Sequence, residues 1–433
     1  MNIRERLLEQ FLKVGLVCTD TREIKKGAIF FGLKGENFDG SLYADKALDQ
    51  GCSLAVVQSD EVIKRDDIIV VEDSLIALQN LALDYRKTLV IPIVGITGTN
   101  GKTTTKELLH SVLSSDLNCY ATEGNYNNHI GVPLSILKIN TEHEIAVIEM
   151  GASKIGDISE LCEICLPTCG LITNVGQAHL EGFGSFENIK KTKKELYDFL
   201  GSRGSIVFMN SDNSSLKEMG ENLNNISHYS ISGKSPLHAE VTNHDITLKF
   251  KWTMEGYSSP EIKTNLTGKY NLENALAAIA VGTHFGIPEN RINSSIEGYT
   301  PRNNRSQIKR TDKNTLILDA YNANITSTKE SLLNLSGMSF SKDSKFFILG
   351  DMLELGDLSI GAHKEMIAFT KELGLNGVFV GKEYSEAKGG SAVRCYINTQ
   401  ELLNDNDTLN LIDKVILIKG SRGIKLEVLE DKL

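Results

Sequence analysis

The segment Gly95-Ile-Thr-Gly-Thr-Asn-Gly-Lys-Thr103 decides the fold. It ends a nearly continuous apolar run over residues 89–96, which is typical of a buried strand, and it precedes apolar residues at helical spacing from Lys102 onward. A glycine-rich turn between a strand and a helix lets backbone N–H groups face phosphate oxygens, and the helix N-terminus favours negative charge. The segment therefore predicts a nucleotide-binding phosphate loop in which Lys102 reaches the β- and γ-phosphates and Thr103 binds Mg²⁺.

The match to the general phosphate-loop pattern has one departure. That pattern places a glycine five residues before Gly101, where this chain has Ile96. The alternative interpretation is an ordinary glycine turn. The Lys-Thr pair and the flanking strand and helix favour nucleotide binding.

The sequence after the loop alternates between strands and helices. Residues 144–150 and 170–173 are apolar enough for buried strands, and residues 158–164 and 271–283 have helical spacing. This alternation predicts a doubly wound, mostly parallel sheet. Residues 246–253 instead alternate apolar and polar side chains, which predicts a half-exposed antiparallel strand added to that sheet.

Two further α/β units flank this one. Before it, strands are predicted at 28–33, 53–58 and 68–71 and a helix at 75–86; after it, strands are predicted at 316–319, 346–349, 377–380 and 415–418. We therefore predict an α/β protein with a small domain over 1–90, a phosphate-loop domain over 91–302 and a third domain over 303–433. The length of 433 residues fits three domains at roughly 100–200 residues each.

The composition excludes some classes of function. The chain has 46 Lys and Arg against 56 Asp and Glu, a net charge of −10, and it has no basic block, so sequence-independent nucleic-acid binding is not expected. Seven cysteines at irregular spacing are not a disulfide framework and predict reduced thiols, hence the cytoplasm. Neither a signal-peptide core nor ~18 consecutive apolar residues are present, so no membrane span is expected.

Two candidate metal ligands lie at the end of one predicted strand and just past the end of another. In open α/β sheets, ligands bind beyond the carboxyl ends of the strands, where Glu149 and His179 are expected. A strand-end carboxylate beside a phosphate-loop threonine can complete the oxygen shell of a Mg²⁺ ion. Histidine is a less usual Mg²⁺ ligand, which suggests a second site; the alternative is a structural or solvated histidine.

Residues 189–195 contain a cluster of lysines on a predicted helix. The plain interpretation is a solvated basic face. Crowded ammonium groups also repel one another, which lowers their pKa, and a neutral lysine can react with CO₂ to form a carbamate that binds metal. A different cluster, Cys162, Cys165 and Cys169, has metal-like spacing but lacks a fourth ligand, so we interpret these residues as buried thiols.

Several motifs together resemble one known family. They are similar to the Mur ligases, the ATP-dependent amino-acid ligases of peptidoglycan synthesis, and the last four are similar to the MurF branch. In chain order, the motifs are Asp20-Thr-Arg22, Gly27-Ala-Ile-Phe30, Gly35-Glu-Asn-Phe-Asp-Gly40, Thr97-Gly-Thr-Asn-Gly-Lys-Thr103, Gly124-Asn-Tyr-Asn-Asn-His-Ile-Gly-Val-Pro133, Asp319-Ala-Tyr-Asn-Ala-Asn324, Leu349-Gly-Asp-Met-Leu-Glu-Leu-Gly356 and Lys419-Gly-Ser-Arg422.

The resemblance implies an enzyme that joins D-alanyl-D-alanine to UDP-N-acetylmuramoyl-tripeptide and converts ATP to ADP and phosphate through an acyl phosphate. It implies a UDP-substrate domain, an ATPase domain and a Rossmann-like C-terminal domain. Because Arg305 lies beyond the ATPase domain and is expected to reach the phosphates, we predict that the C-terminal domain closes over the nucleotide when ATP binds. It also implies two Mg²⁺ ions and a carbamylated lysine. We expect a monomer in the cytoplasm that binds no nucleic acid and has no membrane span.

The resemblance also assigns roles to residues. Lys102, His179, Lys193 and Arg305 are the expected catalytic residues, and Thr103, Glu149, His179 and Lys193 are the expected metal ligands, with Lys193 carbamylated. The expected nucleotide contacts are Gly98, Thr99, Asn100, Gly101, Lys102, Thr103, Thr104, Asn271, Asn274, Arg305 and Asp319. The expected substrate contacts are Thr21, Arg22, Lys34, Asn37, Asn127, Asn128, Asn322 and Asn324.

Some alternatives remain open. Lys190 and Lys194 lie close enough to Lys193 to confuse the position of the carbamate. Ile325 stands where the family usually has proline, and Ala320 stands where a small polar residue is common, so the loop near the incoming dipeptide can differ in shape. The rival functions are a MurE-type ligase, whose Asp-Asn-Pro-Arg type of motif is missing here, a folylpolyglutamate-synthetase type of ligase, a non-catalytic nucleotide-binding homologue and a phosphate-loop ATPase of another class.

Overall fold

Three sheets follow one another along the chain. The computed structural model describes residues 2–58, 65–177, 180–243, 245–302 and 304–433. Within these residues, a four-stranded sheet lies in 17–70, a ten-stranded sheet in 93–263 and a six-stranded sheet in 307–419. The order of the sheets follows the expected α/β organisation, while the domain boundaries near 90 and 302 stay predictions.

The first sheet is parallel and carries helices on its faces. Its strand order is β1-β2-β5-β6, and β3 and β4 form a separate hairpin. Leu7 and Phe11 of the first helix are buried against it. The elements are α1 (Ile3–Val14), β1 (Val17–Cys18), β2 (Ile29–Phe31), β3 (Lys34–Gly35), β4 (Phe38–Asp39), α2 (Ala44–Asp49), β5 (Leu54–Val57), β6 (Ile68–Val70) and α3 (Ser74–Arg86).

The second sheet holds the phosphate loop near its centre. Its order is β15-β14-β13-β12-β11-β10-β7-β9-β8, with β16 beside β14. The elements are β7 (Ile93–Thr97), α4 (Lys102–Leu113), β8 (Cys119–Ala121), α5 (Gly131–Ile136), β9 (Ile145–Glu149), α6 (Asp157–Cys165), β10 (Cys169–Ile172), α7 (Leu180–Phe183), α8 (Phe186–Gly201), β11 (Ile206–Asn210), α9 (Ser214–Met219), β12 (Ile226–Ser230), β13 (Leu237–Val241), β14 (Lys249–Met254), β15 (Tyr257–Ser258), β16 (Ile262–Lys263), α10 (Tyr270–His284) and α11 (Glu289–Gly298).

Strand β7 lies between β9 and β10, and all three are parallel and fully buried. Their carboxyl ends therefore meet at one edge of the sheet, which is where this kind of fold binds ligands. The alternating segment is antiparallel, as expected: β14 pairs β13 in the opposite direction, with Phe250 and Trp252 buried and Lys251 exposed. It begins at Lys249, three residues later than the alternation starts, because residues 245–247 form a bend before the strand.

The third sheet is parallel except at one edge. Its order is β17-β18-β22-β19-β20-β21, and only the pair β17 and β18 is antiparallel among these strands. The elements are β17 (Gln307–Arg310), β18 (Thr315–Asp319), α12 (Ile325–Gly337), β19 (Lys345–Gly350), α13 (Ser359–Glu372), β20 (Asn376–Val380), α14 (Lys382–Ala387), β21 (Cys395–Tyr396), α15 (Thr399–Leu402), α16 (Asn406–Leu409) and β22 (Val415–Lys419).

The third sheet packs against the second unit. Phe183 and Ile189, from α7 and α8, belong to the apolar cluster that also holds Ile325 and Leu355 of the C-terminal part. The two parts are therefore joined by a shared core as well as by polar contacts around the phosphate loop.

The described residues contain no helix that is both long enough and apolar enough to cross a membrane. Cys162, Cys165 and Cys169 are buried, and the sulfur atoms of Cys162 and Cys165 lie 3.9 and 3.8 Å from the sulfur of Met150. These thiols pack in the core, as the sequence suggested.

Candidate active site

A cavity of about 640 Å³ lies at the carboxyl edge of the second sheet, between it and the C-terminal part. It brings together most of the residues that the sequence analysis singled out. Those that line it are Gly98, Thr99, Asn100, Gly101, Lys102, Thr103, Thr104, Asn127, Asn128, Glu149, Lys193, Asn271, Asn274, Arg305, Asp319 and Asn322.

Two glycines allow the phosphate loop to take its shape. Gly98 and Gly101 have φ values of 145° and 79°, which side chains rarely adopt. A Cβ atom on Gly98 would lie 2.0 Å from Oγ1 of Thr173, and one on Gly101 would lie 2.6 Å from Oδ1 of Asn274. Ile96, the departure from the general motif, lies on the buried strand β7 before the turn, so the loop closes without a glycine there.

The segment after β10 braces the loop. Asn174 accepts from the N–H of Thr99 through its backbone oxygen and from the N–H of Asn100 through Oδ1, both at 2.9 Å. The hydroxyl of Thr173 donates to the backbone oxygen of Asn100 at 2.5 Å. Sequence reasoning missed these two residues, although Thr173 ends a predicted strand at the carboxyl edge and Asn174 directly follows it.

Lys102 begins α4 and folds back over the loop. Its Nζ donates to the backbone oxygens of Gly98 and Thr99 at 2.7 and 2.9 Å. Burial lowers the pKa of Lys102, Arg305 lowers it further and Glu149 opposes the shift. An anionic phosphate placed here would oppose this shift, because it would stabilise the charged form of the amine.

Glu149 ends β9 beside Thr103 and is 1% exposed. Its Oε1 accepts from the hydroxyl of Thr103 at 3.3 Å and from Nδ2 of Asn127 at 2.7 Å. Its Oε2 is buried and has no hydrogen-bond partner. A buried carboxylate oxygen without a partner costs free energy unless a cation or donor joins it, so Thr103 and Glu149 fit a Mg²⁺ ion.

Lys193 lies on α8, is 3% exposed and has its Nζ 5.8 Å from the ring centre of Phe183. Burial, together with the positive charge of Lys102, lowers the pKa of Lys193 to about 7. A substantial fraction of this amine is therefore neutral near pH 7, the form that reacts with CO₂.

The neighbouring lysines point elsewhere. Lys190 pairs with Glu218 at 2.8 Å, and Lys194 pairs with Asp198. Neither lines the cavity. The geometry therefore favours Lys193 among the three lysines.

Asn271 and Asn274 connect α10 to the loop helix. Nδ2 of Asn274 donates to Oδ1 of Asn271 at 2.9 Å, and Oδ1 of Asn274 accepts from the hydroxyl of Thr105 at 3.1 Å. Both asparagines are buried. They hold the start of α10 against the phosphate loop, where a nucleotide would lie.

Arg305 reaches the cavity from the connection to the third sheet. Its guanidinium lies 3.6 Å from the ring centre of Tyr321. The next residue, Ser306, is held by its backbone and by its side chain. Its N–H donates to Oδ1 of Asp319 at 3.3 Å, and its hydroxyl lies 3.0 Å from the hydroxyl of Tyr270. Oδ2 of Asp319 pairs with the buried Lys419 at 2.7 Å. Asp319 thus holds in place the segment before the third sheet that carries Arg305.

The predicted substrate residues fall into three groups. Asn127 holds Glu149, whereas Oδ1 of Asn128 accepts from the N–H of Gly131 at 2.9 Å at the start of α5. Asn322 is exposed in the cavity. Asn324 does not line it; its Oδ1 caps α12 through the N–H of Ser327.

The N-terminal candidates lie outside this cavity. Thr21, Arg22, Lys34 and Asn37 do not line it. Arg22 pairs with Asp20, and the hairpin residue Lys34 lies 4.0 Å from a carboxylate oxygen of Asp39. Their role toward a UDP group stays a prediction.

His179, the expected ligand of a second metal, lies outside the described residues. In the part of the chain that is described, no group of three or more His, Cys, Asp and Glu side chains is placed to hold a metal ion. The metal-binding potential of the described site thus comes from Thr103, Glu149 and Lys193.

Comparison with protein families identifies two matching regions. Residues 96–282 match the Mur ligase middle domain, and residues 13–98 match the Mur ligase family catalytic domain. The chain is 34% identical over 432 residues to the UDP-N-acetylmuramoyl-tripeptide–D-alanyl-D-alanine ligase of Bacillus subtilis, with 95% of this chain and 91% of that protein covered.

Solved structures agree with the sequence comparison. MurF of Acinetobacter baumannii is 28% identical with a TM-score of 0.88, covering 98% of this chain and 97% of that one. The MurF ligase of Thermotoga maritima in complex with ADP is 26% identical with a TM-score of 0.87, covering 100% and 98%. The chain therefore belongs to the Mur ligase family, within its MurF branch.

Proposed function

We propose that this chain is an ATP-dependent ligase that joins D-alanyl-D-alanine to UDP-N-acetylmuramoyl-tripeptide in peptidoglycan precursor synthesis. The substrates are those in the names of its relatives. One observation in the site carries the proposal. A single cavity joins the phosphate-loop Lys102, the unpartnered Oε2 of Glu149 and the buried amine of Lys193, so nucleotide and a second anionic group can meet there.

The reaction needs an activated carboxylate, because a carboxylate does not form an amide with an amine at neutral pH. The tripeptide carboxylate oxygen attacks the γ-phosphorus, the bond to the β–γ bridging oxygen breaks, and ADP leaves. The dipeptide amine then attacks the acyl carbon, the resulting tetrahedral intermediate loses phosphate, and the amine proton passes to solvent.

Charge is the main obstacle in the first step, since two anions must approach each other. Lys102 and Arg305 bring positive charge to the cavity wall where the phosphates would lie. Their charge stabilises the transferring phosphoryl group, and the rigid loop aligns it. Asn271 and Asn274 support the loop helix on the nucleotide side.

The residues fit metal ions at two places. Thr103 and Glu149 would hold one Mg²⁺, and Lys193, as a carbamate formed from its neutral amine and CO₂ with release of a proton, would hold a second together with His179. Bound Mg²⁺ neutralises phosphate and carboxylate charge. Asn127 donates to Oε1 of Glu149, whereas Oε2 has no hydrogen-bond partner among the described residues and would be available to a cation.

We further propose that the enzyme works as a monomer in the cytoplasm. All seven cysteines are free in this structure, and six of them are buried, which fits a chain of reduced thiols.

Release of phosphate from ATP, with each substrate omitted in turn, tests the function. We expect release only with Mg²⁺, UDP-N-acetylmuramoyl-tripeptide and D-Ala-D-Ala together. Release with a UDP-dipeptide and a free amino acid would instead indicate a MurE-type ligase. ATP binding without release under any combination would indicate a non-catalytic homologue.

A further inference from the structure

Arg422 lies in the C-terminal part of the chain, at the edge of the third sheet that faces the cavity, and none of the roles described above belongs to it. It begins a 3₁₀ helix, Arg422–Ile424, just after β22, the strand between β18 and β19 in the third sheet. Ligands of parallel α/β sheets bind beyond the carboxyl ends of such strands. Arg422 is exposed and lines the same cavity as Lys102 and Lys193.

The other cationic side chains that line this cavity already have a partner or an assigned place in the site. Lys102 lies on the phosphate loop and Lys419 pairs with Asp319. Lys193 is buried on α8, and Arg305 is close enough to Lys102 to affect its ionisation. The side chain of Arg422 forms no ion pair or hydrogen bond with any residue that the structure describes; its guanidinium lies 5.9 Å from the ring centre of Tyr321.

Tyr321 lies beside both arginines. The Arg305 guanidinium is 3.6 Å from the ring centre and that of Arg422 is 5.9 Å from it. One aromatic ring thus connects the cation assigned to the phosphates with a second cation that has no carboxylate partner among the described residues. The ring of Tyr321 and the side chain of Leu353, which is 42% exposed, add apolar surface to the cavity wall that Arg422 also lines.

The incoming dipeptide needs a cation that lies beside apolar surface. Its amine must be free to attack, whereas its carboxylate stays anionic and must enter a cavity that also receives phosphates. An anion is desolvated there at a cost unless a cation binds it. The planar guanidinium of arginine pairs with both oxygens of a carboxylate, which also fixes its direction.

We propose that Arg422 binds the free carboxylate of the incoming dipeptide, with Tyr321 and Leu353 contacting its methyl groups. This inference rests on the proposed function. It makes Arg422 a substrate-binding residue that selects a free C-terminal carboxylate and turns the opposite end of the dipeptide toward the acyl phosphate.

The test compares D-Ala-D-Ala with D-alanyl-D-alaninamide, which lacks the negative charge. We expect the natural enzyme to prefer the acid by about 10- to 100-fold in kcat/KM, the range of a charge-assisted hydrogen-bonded pair. Arg422→Ala should raise the KM of D-Ala-D-Ala by a similar factor and bring the acid-to-amide ratio close to one. The KM values of ATP and the UDP-substrate should stay within about twofold of normal.

Two variants serve as controls. Arg310→Ala removes an exposed arginine of the same sheet, on β17, that does not line the cavity, and should keep the ratio. Arg422→Lys keeps the positive charge but not the planar guanidinium, so its acid-to-amide ratio in kcat/KM should lie between those of the natural enzyme and Arg422→Ala. If Arg422→Ala is too slow to assay, the ratio of Arg422→Lys tests the role of Arg422.

The outcomes separate the inference from the proposed function. An Arg422→Ala enzyme that retains the normal preference for the acid, or a natural enzyme that has no preference, would overturn the role of Arg422 alone. A natural enzyme that makes no product from D-Ala-D-Ala would overturn the proposed function, and this inference with it.

Discussion

Nδ2 of Asn324 donates a 2.7 Å hydrogen bond to Oδ1 of Asn100, so the first helix of the C-terminal sheet is tied directly to the phosphate loop. The bond joins residues 224 positions apart in the chain. Close by, the N–H of Gln177 donates to the hydroxyl oxygen of Thr326 at 3.3 Å. The loop and the C-terminal part are thus docked in this structure, and a role for nucleotide in that docking stays a prediction.

Replacing Asn324 by serine tests this connection. Serine caps a helix about as well as asparagine, so the bond to the N–H of Ser327 is replaced, but its hydroxyl is too short to reach Asn100. We expect turnover to fall about fivefold, the effect of a hydrogen bond worth about 1 kcal/mol, and the radius of gyration to increase in small-angle scattering. Asn398→Ser, at the exposed cap of α15, is the matched control. Unchanged turnover and scattering in Asn324→Ser would contradict the connection.

Lys193→Ala should lose most turnover, because it removes the amine proposed to carry the carbamate. Small carboxylic acids should restore part of the activity, since they supply an anionic oxygen in the vacated space. Phosphate release with and without added acetate or formate measures both effects.

Lys190→Ala and Lys194→Ala are the controls, since these lysines pair with Glu218 and Asp198 away from the cavity. Both should remain nearly as active as the natural enzyme, because ion pairs to exposed carboxylates such as Glu218 and Asp198 contribute about 0–1 kcal/mol. Full activity of Lys193→Ala would exclude the carbamate.

Glu149→Gln should raise the Mg²⁺ concentration needed for half-maximal phosphate release by about tenfold or more. The amide replaces a charged ligand with a neutral one while keeping the size of the side chain. Asn127→Ala should have a smaller effect in the same titration, because Asn127 touches only Oε1. An unchanged Mg²⁺ requirement in Glu149→Gln would remove this carboxylate from the proposed metal site.

The pH dependence of stability should reflect Glu273 on α10. Burial, the largest cause, together with the charges of Glu330 on α12 and of Asp212, raises the pKa of Glu273 to about 7. Between about pH 4.5 and 7 the folded chain therefore holds a proton that the unfolded chain releases, so this group makes stability fall as pH rises through that range.

Glu273→Gln removes the free-energy cost of ionising this buried carboxyl group. Its free energy of unfolding in urea should exceed that of the natural protein by about 1–3 kcal/mol at pH 8, and the difference should disappear near pH 4. Glu221→Gln, at an exposed position, is the control and should show no such difference. Equal stability of Glu273→Gln and the natural protein at pH 8 would contradict the assignment.

Local chemistry made the central strands and the phosphate loop predictable. Apolar runs predicted β7, β9 and β10 to within a few residues, because a fully buried strand needs apolar side chains on both faces. The alternation of Phe250 and Trp252 with lysines predicted the antiparallel β14 for the related reason that only one face is buried. Motif resemblance then supplied the family, which no spacing argument alone could have done.

Long-range contacts explain what was missed. Asn174 and Thr173 brace the loop from more than 70 positions away, and nothing local in either residue marks that role. Arg422 lay in a motif that carried family resemblance but no assigned chemistry. Arg422 becomes a candidate substrate-binding residue only in the folded chain, where it lines the cavity and its side chain has no carboxylate partner among the described residues.

The sequence by itself determined the α/β class, the nucleotide loop and the branch of the family, because each depends on residues that are contiguous or evenly spaced. The tertiary structure decided which of three neighbouring lysines enters the cavity, which oxygen of Glu149 lacks a partner, and that Asn324 reaches the loop rather than the cavity. Helix rotation, side-chain competition for partners and the packing of distant sheets set these features, and each is a property of the folded chain rather than of any segment.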